Sequence, residues 1–127
     1  MSDLNLSLEK IMRQGINAHK SGKLQDAERF YREILETQPY HPEANHNLGI
    51  LLISINKIDP AIKLFKNAIE IHPGNKKYWF SYIRSLIQGG KIIGAQHVLK
   101  QGADRGLKGD EFDALKASVE SRIKTVK

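Results

Sequence analysis

The side chains best equipped for chemistry are five histidines, His19, His41, His46, His72 and His97. Their spacing does not make a metal site. No two stand four apart on a helix, and the chain has no cysteine to complete a tetrahedral set. His41 and His46 are five apart and straddle an expected helix start. Gly89-Gly90 lacks the preceding strand and the spacing that a phosphate-cradling loop requires. The serines have no histidine and carboxylate arrangement that the sequence defines, and Glu33 and Glu36 read as solvated helix surface. No metal, no cofactor and no catalytic centre is expected, so the chain reads as a non-enzyme. What remains is a chemistry of contact, made by apolar side chains, amides and cations at helical spacing.

Those contact residues need elements to hold them, and the apolar pattern is helical almost throughout. It predicts helices over about 8–20, 24–37, 43–55, 58–71, 75–88, 92–104 and 110–124. Gly22 suits a left-handed helix end, Pro42 can open the next helix without losing a hydrogen bond, and Asp59-Pro60 suits a first turn. Phe112, Leu115, Val119 and Ile123 line one side of the last helix. Its other side is Glu111, Lys116, Glu120 and Lys124, as expected of a capping helix. The chain is 127 residues long, 40% hydrophobic and 27% charged, enough for a core without disulfides. The longest apolar run, about Leu48–Ile55, is too short to span a bilayer. With no cysteine and no secretory signal visible, a cytoplasmic location is the expectation.

The net charge of +6 is unevenly spread. Residues 1–55 carry six Lys/Arg against seven Asp/Glu, residues 56–108 ten against three, and residues 109–127 four of each. A local positive field favours acidic partners. Its lysines are scattered without interleaved aromatics, so nucleic acid or another polyanion is the weaker alternative.

A 34-residue echo organises the whole. Gly15 returns as Gly49, Ala27 as Ala61 and Ala95, Tyr31 as Phe65 and Leu99, and Pro39 as Pro73. That period belongs to stacked helix–turn–helix units. With it, the chain resembles the tetratricopeptide-repeat (TPR) family, whose pattern runs W-x2-L-G-x2-Y, then A-x3-F, then P. The second unit is nearest, with Leu48-Gly49, Ala61, Phe65, Ala68 and Pro73, and with Asn45 at the tryptophan position and Leu52 at the tyrosine position. The first has Ile11, Gln14, Gly15, Ala18, Ala27, Tyr31, Ile34 and Pro39. The third has Trp79, Tyr82, Ile83, Leu86, Ala95, Leu99, Gly102 and Leu107. There Ile83 stands for the glycine and Leu107 for the proline.

The resemblance implies an all-α, right-handed α-α superhelix in a single domain spanning 1–127. Its repeats would be about 8–41, 42–75 and 76–109, followed by the capping helix at about 110–124. It also implies that the first helix of each pair lines a concave groove that holds a peptide or partner protein. Phrases such as Gln38-Pro39-Tyr40-His41-Pro42-Glu43-Ala44 resemble repeat segments that accompany bacterial sulfotransferase, glycosyltransferase or methyltransferase domains. A helper module for a catalytic domain is therefore an alternative.

Stepping the inner positions by 34 gives the groove rows Met12, His46, Phe80; Ile16, Ile50, Arg84; His19, Ile53, Ile87; Arg13, Asn47, Ser81; and Glu9, Glu43, Lys77. The binding set expected from these rows is Met12, Ile16, His19, His46, Asn47, Ile50, Ile53, Lys77, Phe80, Arg84 and Ile87. It fits a peptide with hydrophobic anchors and an acidic group near the third repeat, unless neighbouring helices or the chain's own N-terminal arm cover the isoleucines. In family modules that grip acidic chaperone C-termini, five basic and amide side chains form a clamp. Only Asn47 and Lys77 match it, while Met12, Ile16 and Ser81 depart, so that use is disfavoured. Tyr78-Trp79-Phe80 places three rings in succession, which cannot share one face. Tyr78 or Phe80 then reaches an outer surface or the groove, as an anchor for a partner or for a homo-oligomer, unless the rings fill the core beneath the final helix.

Overall fold

The computed structural model describes residues 3–126. Among these residues seven helices follow one another: α1 (Asp3–Lys20), α2 (Leu24–Thr37), α3 (Pro42–Ser54), α4 (Ile58–Ile71), α5 (Lys76–Gln88), α6 (Ile92–Asp104) and α7 (Asp110–Val126). Among the described residues there is no strand. Helix α1 starts earlier than the apolar pattern suggests, with Asp3 in its first turn, where a carboxylate favours the positive helix end. The starts of α3, α5 and α7 are 34 residues apart, and so are those of α2, α4 and α6.

The turns explain this regularity. Gly22, Asn56 and Gly90 are one repeat apart, and all three have positive φ, at 77°, 61° and 76°. Each lets the following lysine N–H reach back across the helix end. Lys23 donates to the Ala18 carbonyl, Lys57 to Leu52 and Lys91 to Leu86, each at 2.8 Å. This is the left-handed helix-terminating motif, and it satisfies carbonyls that would otherwise be orphaned. Asparagine adopts the conformation at small cost because its side chain is short and polar. The returning turns differ. His41 caps α3, its Nδ1 accepting from the Ala44 N–H at 3.1 Å, with Pro42 in the first turn. Asn75 caps α5, its Oδ1 accepting from the Lys77 N–H at 2.9 Å.

Consecutive helices pack along the whole chain. The odd-numbered helices also meet, α1 on α3, α3 on α5 and α5 on α7, whereas among the described residues the even-numbered backbones stay apart. A stack whose alternate members touch on one side and spread on the other is curved, with the odd helices inside. Two hydrophobic clusters fill it. One runs from Leu8 to Phe65, the other from Ala68 to Val119, and α4 contributes to both. Tyr82 packs against each of them.

Close approach within each pair depends on a missing side chain. A Cβ on Gly15 would lie 2.6 Å from the Tyr31 ring, and one on Gly49 2.6 Å from the Phe65 ring. Both rings are buried. The third pair solves the same problem with Ile83 against a smaller partner position, Leu99, both buried. Polar groups are matched as carefully. Trp79 Nε1 donates to the Pro73 carbonyl at 2.8 Å. One repeat earlier, Asn45 Nδ2 donates to the Pro39 carbonyl at 3.1 Å and also to that of His41 at 2.8 Å. The amide thus performs the indole's hydrogen bond, and Asn67 Nδ2 donates to its free oxygen at 3.3 Å.

Two outcomes follow for stability. Gly49→Ala should lower it by about 1–3 kcal/mol despite alanine's better helix propensity, because the buried Phe65 ring cannot step aside. Adding Phe65→Leu should recover part of the loss, and urea denaturation of the two proteins would show it. Asn45→Ala should cost about 1 kcal/mol by removing the side-chain donor to the Pro39 carbonyl and the acceptor of Asn67, while the His41 carbonyl keeps the Asn45 N–H, read from the same denaturation curves.

Candidate functional site

The inner helices are joined by one repeated pair of positions. Asn47 Nδ2 on α3 donates to Met12 Sδ on α1 at 3.4 Å. One repeat on, His46 Nε2 and Ser81 Oγ are hydrogen-bonded at 2.8 Å, joining α3 to α5. The next step leads to Phe80 and Leu115, both in the C-terminal cluster. Arg84 on α5 pairs with Glu111 on α7. Positions 12, 46 and 80 therefore rest on the following inner helix.

This changes what the groove presents. Phe80, expected to line it, is only 8% exposed and belongs to the core that α7 shares. Tyr78 and Trp79 are buried as well, so no ring of this triplet stands out as an anchor. The three rings fill the core because Tyr78 lies under His46 at 4.8 Å, Trp79 bonds to Pro73, and Phe80 occupies the seam toward α7. Ile53 and Ile87 are half-buried and pack against the N-terminal and C-terminal clusters respectively.

Four of the expected residues do come together. Ile16, His19, Asn47 and Ile50 line one cleft of about 360 Å³ between α1 and α3, with Lys20, Tyr31 and Glu43. Ile50 is 37% exposed, the most open large apolar residue of the expected set. A neighbouring cleft of about 380 Å³ shares Ile16 and Glu43 and adds Leu8, Glu9, Met12, Arg13, Gln38 and His41. Met12 is thus buried by the seam yet still edges open space. Lys77 is exposed in the first turn of α5.

Tyr31 and Glu43 lie outside the expected set. Glu43 was accessible to the same reasoning, since it shares a row with Lys77. Tyr31 gives no such signal, because its position marks it as packing and it reaches the cleft from the outer helix. Burial pushes the Tyr31 phenol up, and the charge of Glu43 pushes the same way. Tyr78 is raised by burial and by Glu43, and Tyr82 by burial and by Glu70. These phenols remain protonated at neutral pH. The cleft combines an apolar floor with an amide, a phenol, an imidazole and a carboxylate, a lining that can take an apolar side chain with polar groups beside it. Among the described residues no group of three or more His, Asp or Glu is placed to hold a metal ion, and no helix is long and apolar enough to cross a membrane.

This geometry is shared with known proteins. The tetratricopeptide-repeat family model matches residues 18–65. The first TPR of Spaghetti (RPAP3), bound to the HSP90 peptide SRMEEVD, superposes with a TM-score of 0.82 at 14% identity, covering 92% of this chain and 93% of that one. The TPR2B domain of yeast Sti1, in a complex with an Hsp70 peptide, gives 0.80 at 18% identity over 92% and 98%. The Yersinia enterocolitica type III secretion chaperone SycD, in complex with a peptide of the translocator YopD, gives 0.75 at 21% identity over 99% and 94%. The family model thus matches residues 18–65, and the chain as a whole has the fold of these solved structures, an all-α right-handed superhelix.

The seam and the cleft should respond differently to the same substitution. Phe80→Asp should destabilise the fold by about 3 kcal/mol or more, because it buries a charge in place of a core ring. Ile50→Asp should stay within about 0.5–1 kcal/mol of the parent. Thermal melts followed by circular dichroism distinguish the two.

Proposed function

We propose that this protein is an interaction module that holds a peptide, or a peptide segment of a partner protein, in its inner groove. The observation that carries this reading is the cleft between α1 and α3, where Ile16 and Ile50 offer an apolar seat rimmed by His19, Asn47 and Glu43. An aliphatic or aromatic side chain fits such a seat, and the amide of Asn47 provides a handle for a peptide backbone. Lys77, exposed on α5, provides a place for an acidic group further along the ligand. The solved relatives described above were captured with peptides of HSP90, Hsp70 and YopD, which supports the same kind of use here. Nothing in the cleft calls for chemistry on the bound segment, and the reading is of a scaffold rather than a catalyst.

The groove of this chain differs from a clamp for acidic carboxyl termini. Met12 and Ser81 stand where such a clamp needs other polar or basic groups, and they are uncharged, Met12 buried beneath Asn47 and Ser81 hydrogen-bonded to His46. Arg84 is tied to Glu111. Hydrophobic anchoring in the first cleft therefore outweighs charge in setting affinity.

A displayed library of random peptides, panned on the folded protein, would test this. Enriched sequences should share an apolar residue followed or preceded by an acidic one, and should bind Ile50→Asp at least about tenfold more weakly, a loss of roughly 1.4 kcal/mol. Lack of enrichment, or undiminished binding to a folded Ile50→Asp protein, would rule the reading out.

A further inference from the structure

We infer that His46 makes the contact between the second and third repeats a proton-sensitive joint, so that acidification loosens α5 and α6 from α3 and changes the curvature of the groove. The inference rests on where the ring lies. From α3 it sits 5.5 Å from Phe65, a member of the N-terminal cluster, and 4.8 Å from Tyr78, a member of the C-terminal cluster. It also bonds to Ser81 on α5. One side chain therefore touches both cores and the hydrogen bond that joins their inner helices.

The ring's surroundings are hostile to charge. From α5 it faces Lys77, Arg84 and the Tyr78 phenol. His72, capping α4, lies 6.0 Å from the same phenol. Glu43 and Asn47 share its own helix, and Glu111 of α7 is committed to Arg84. Among the described residues no carboxylate lies within ion-pair distance of the imidazole. A proton placed here would put a positive charge in a half-buried position beside two existing cations.

Burial is the main influence holding the imidazole below its ordinary value of 6.5; Lys77 and Arg84 add to it, and a hydrogen bond with Asn47 opposes it. The unfolded chain then binds the proton more readily than the folded one. The stabilisation from the neutral ring is complete above about pH 6.5 and is lost as the pH falls below it. In a solenoid each unit is held only by its neighbours, so the loss falls on the joint rather than being shared along the chain.

Hydrogen exchange on the full chain, corrected for the intrinsic pH dependence of exchange, reads this locally. Between about pH 7.5 and about pH 5, protection in α5 and α6 should fall roughly tenfold more than in α1 and α2. In His46→Gln that difference should no longer depend on pH. An NMR titration of the His46 ring in the unaltered protein is followed in parallel, so a variant that does not fold leaves the test intact. A midpoint below the ordinary imidazole value supports the joint. A midpoint at or above it overturns the inference, as does equal loss of protection in the two proteins.

Discussion

Within the first two helical hairpins, a stretch of bare backbone lies under an aromatic ring. At Gly15 and Gly49 the space a Cβ would need is taken by Tyr31 and Phe65. The paired helices approach as closely as their main chains permit, and the two rings are almost wholly withdrawn from solvent. This distance determines where the outer helices stand, and hence that α1, α3, α5 and α7 meet along the inside while α2, α4 and α6 diverge. The third pair reaches a comparable packing by another route, adding bulk at Ile83 and removing it at Leu99. Total volume is kept while its distribution between the two helices changes, the kind of exchange that cores tolerate best.

Polar groups between the repeats are treated with similar economy. Asn45 and Trp79 differ in size and chemistry, yet each donates to the carbonyl of the proline that closes the preceding hairpin. Along the inner side, Met12 with Asn47 and His46 with Ser81 occupy the same pair of positions one period apart. These side chains divide the inner surface into a seam, where helix meets helix, and clefts, where side chains border open space. Ile16 and Ile50 fall on the cleft side of that division and Phe80 on the other.

The architecture was legible in the sequence because it is written repeatedly. Gly15 and Gly49, the three alanines at 27, 61 and 95, and Pro39 with Pro73 each report one packing constraint at a fixed interval. The turn at Gly22 could be read from residue type, whereas its counterpart at Asn56 could not be separated from an ordinary polar loop residue. The groove was only partly legible. A helical wheel identifies which side of α3 faces inward and places Ile50 and Asn47 there, and both line the cleft between α1 and α3. It does not say how far the next helix overlaps that side, which is why Phe80 looked available. Tyr31 was hidden for the opposite reason, since a residue that packs a hairpin can also close the end of a cleft. The ties of Arg84 to Glu111 and of His46 to Ser81 join helices far apart in sequence, and neither follows from periodicity.

The repeated left-handed turn at Gly22, Asn56 and Gly90 has a consequence for recognition. Because α1, α3 and α5 are each folded back through the same backbone geometry and held by the same lysine N–H, the geometry inside each hairpin is set by the main chain itself. In the peptide use proposed above, the hairpins would need no ordering by the peptide, and the entropy lost would be chiefly that of the peptide itself.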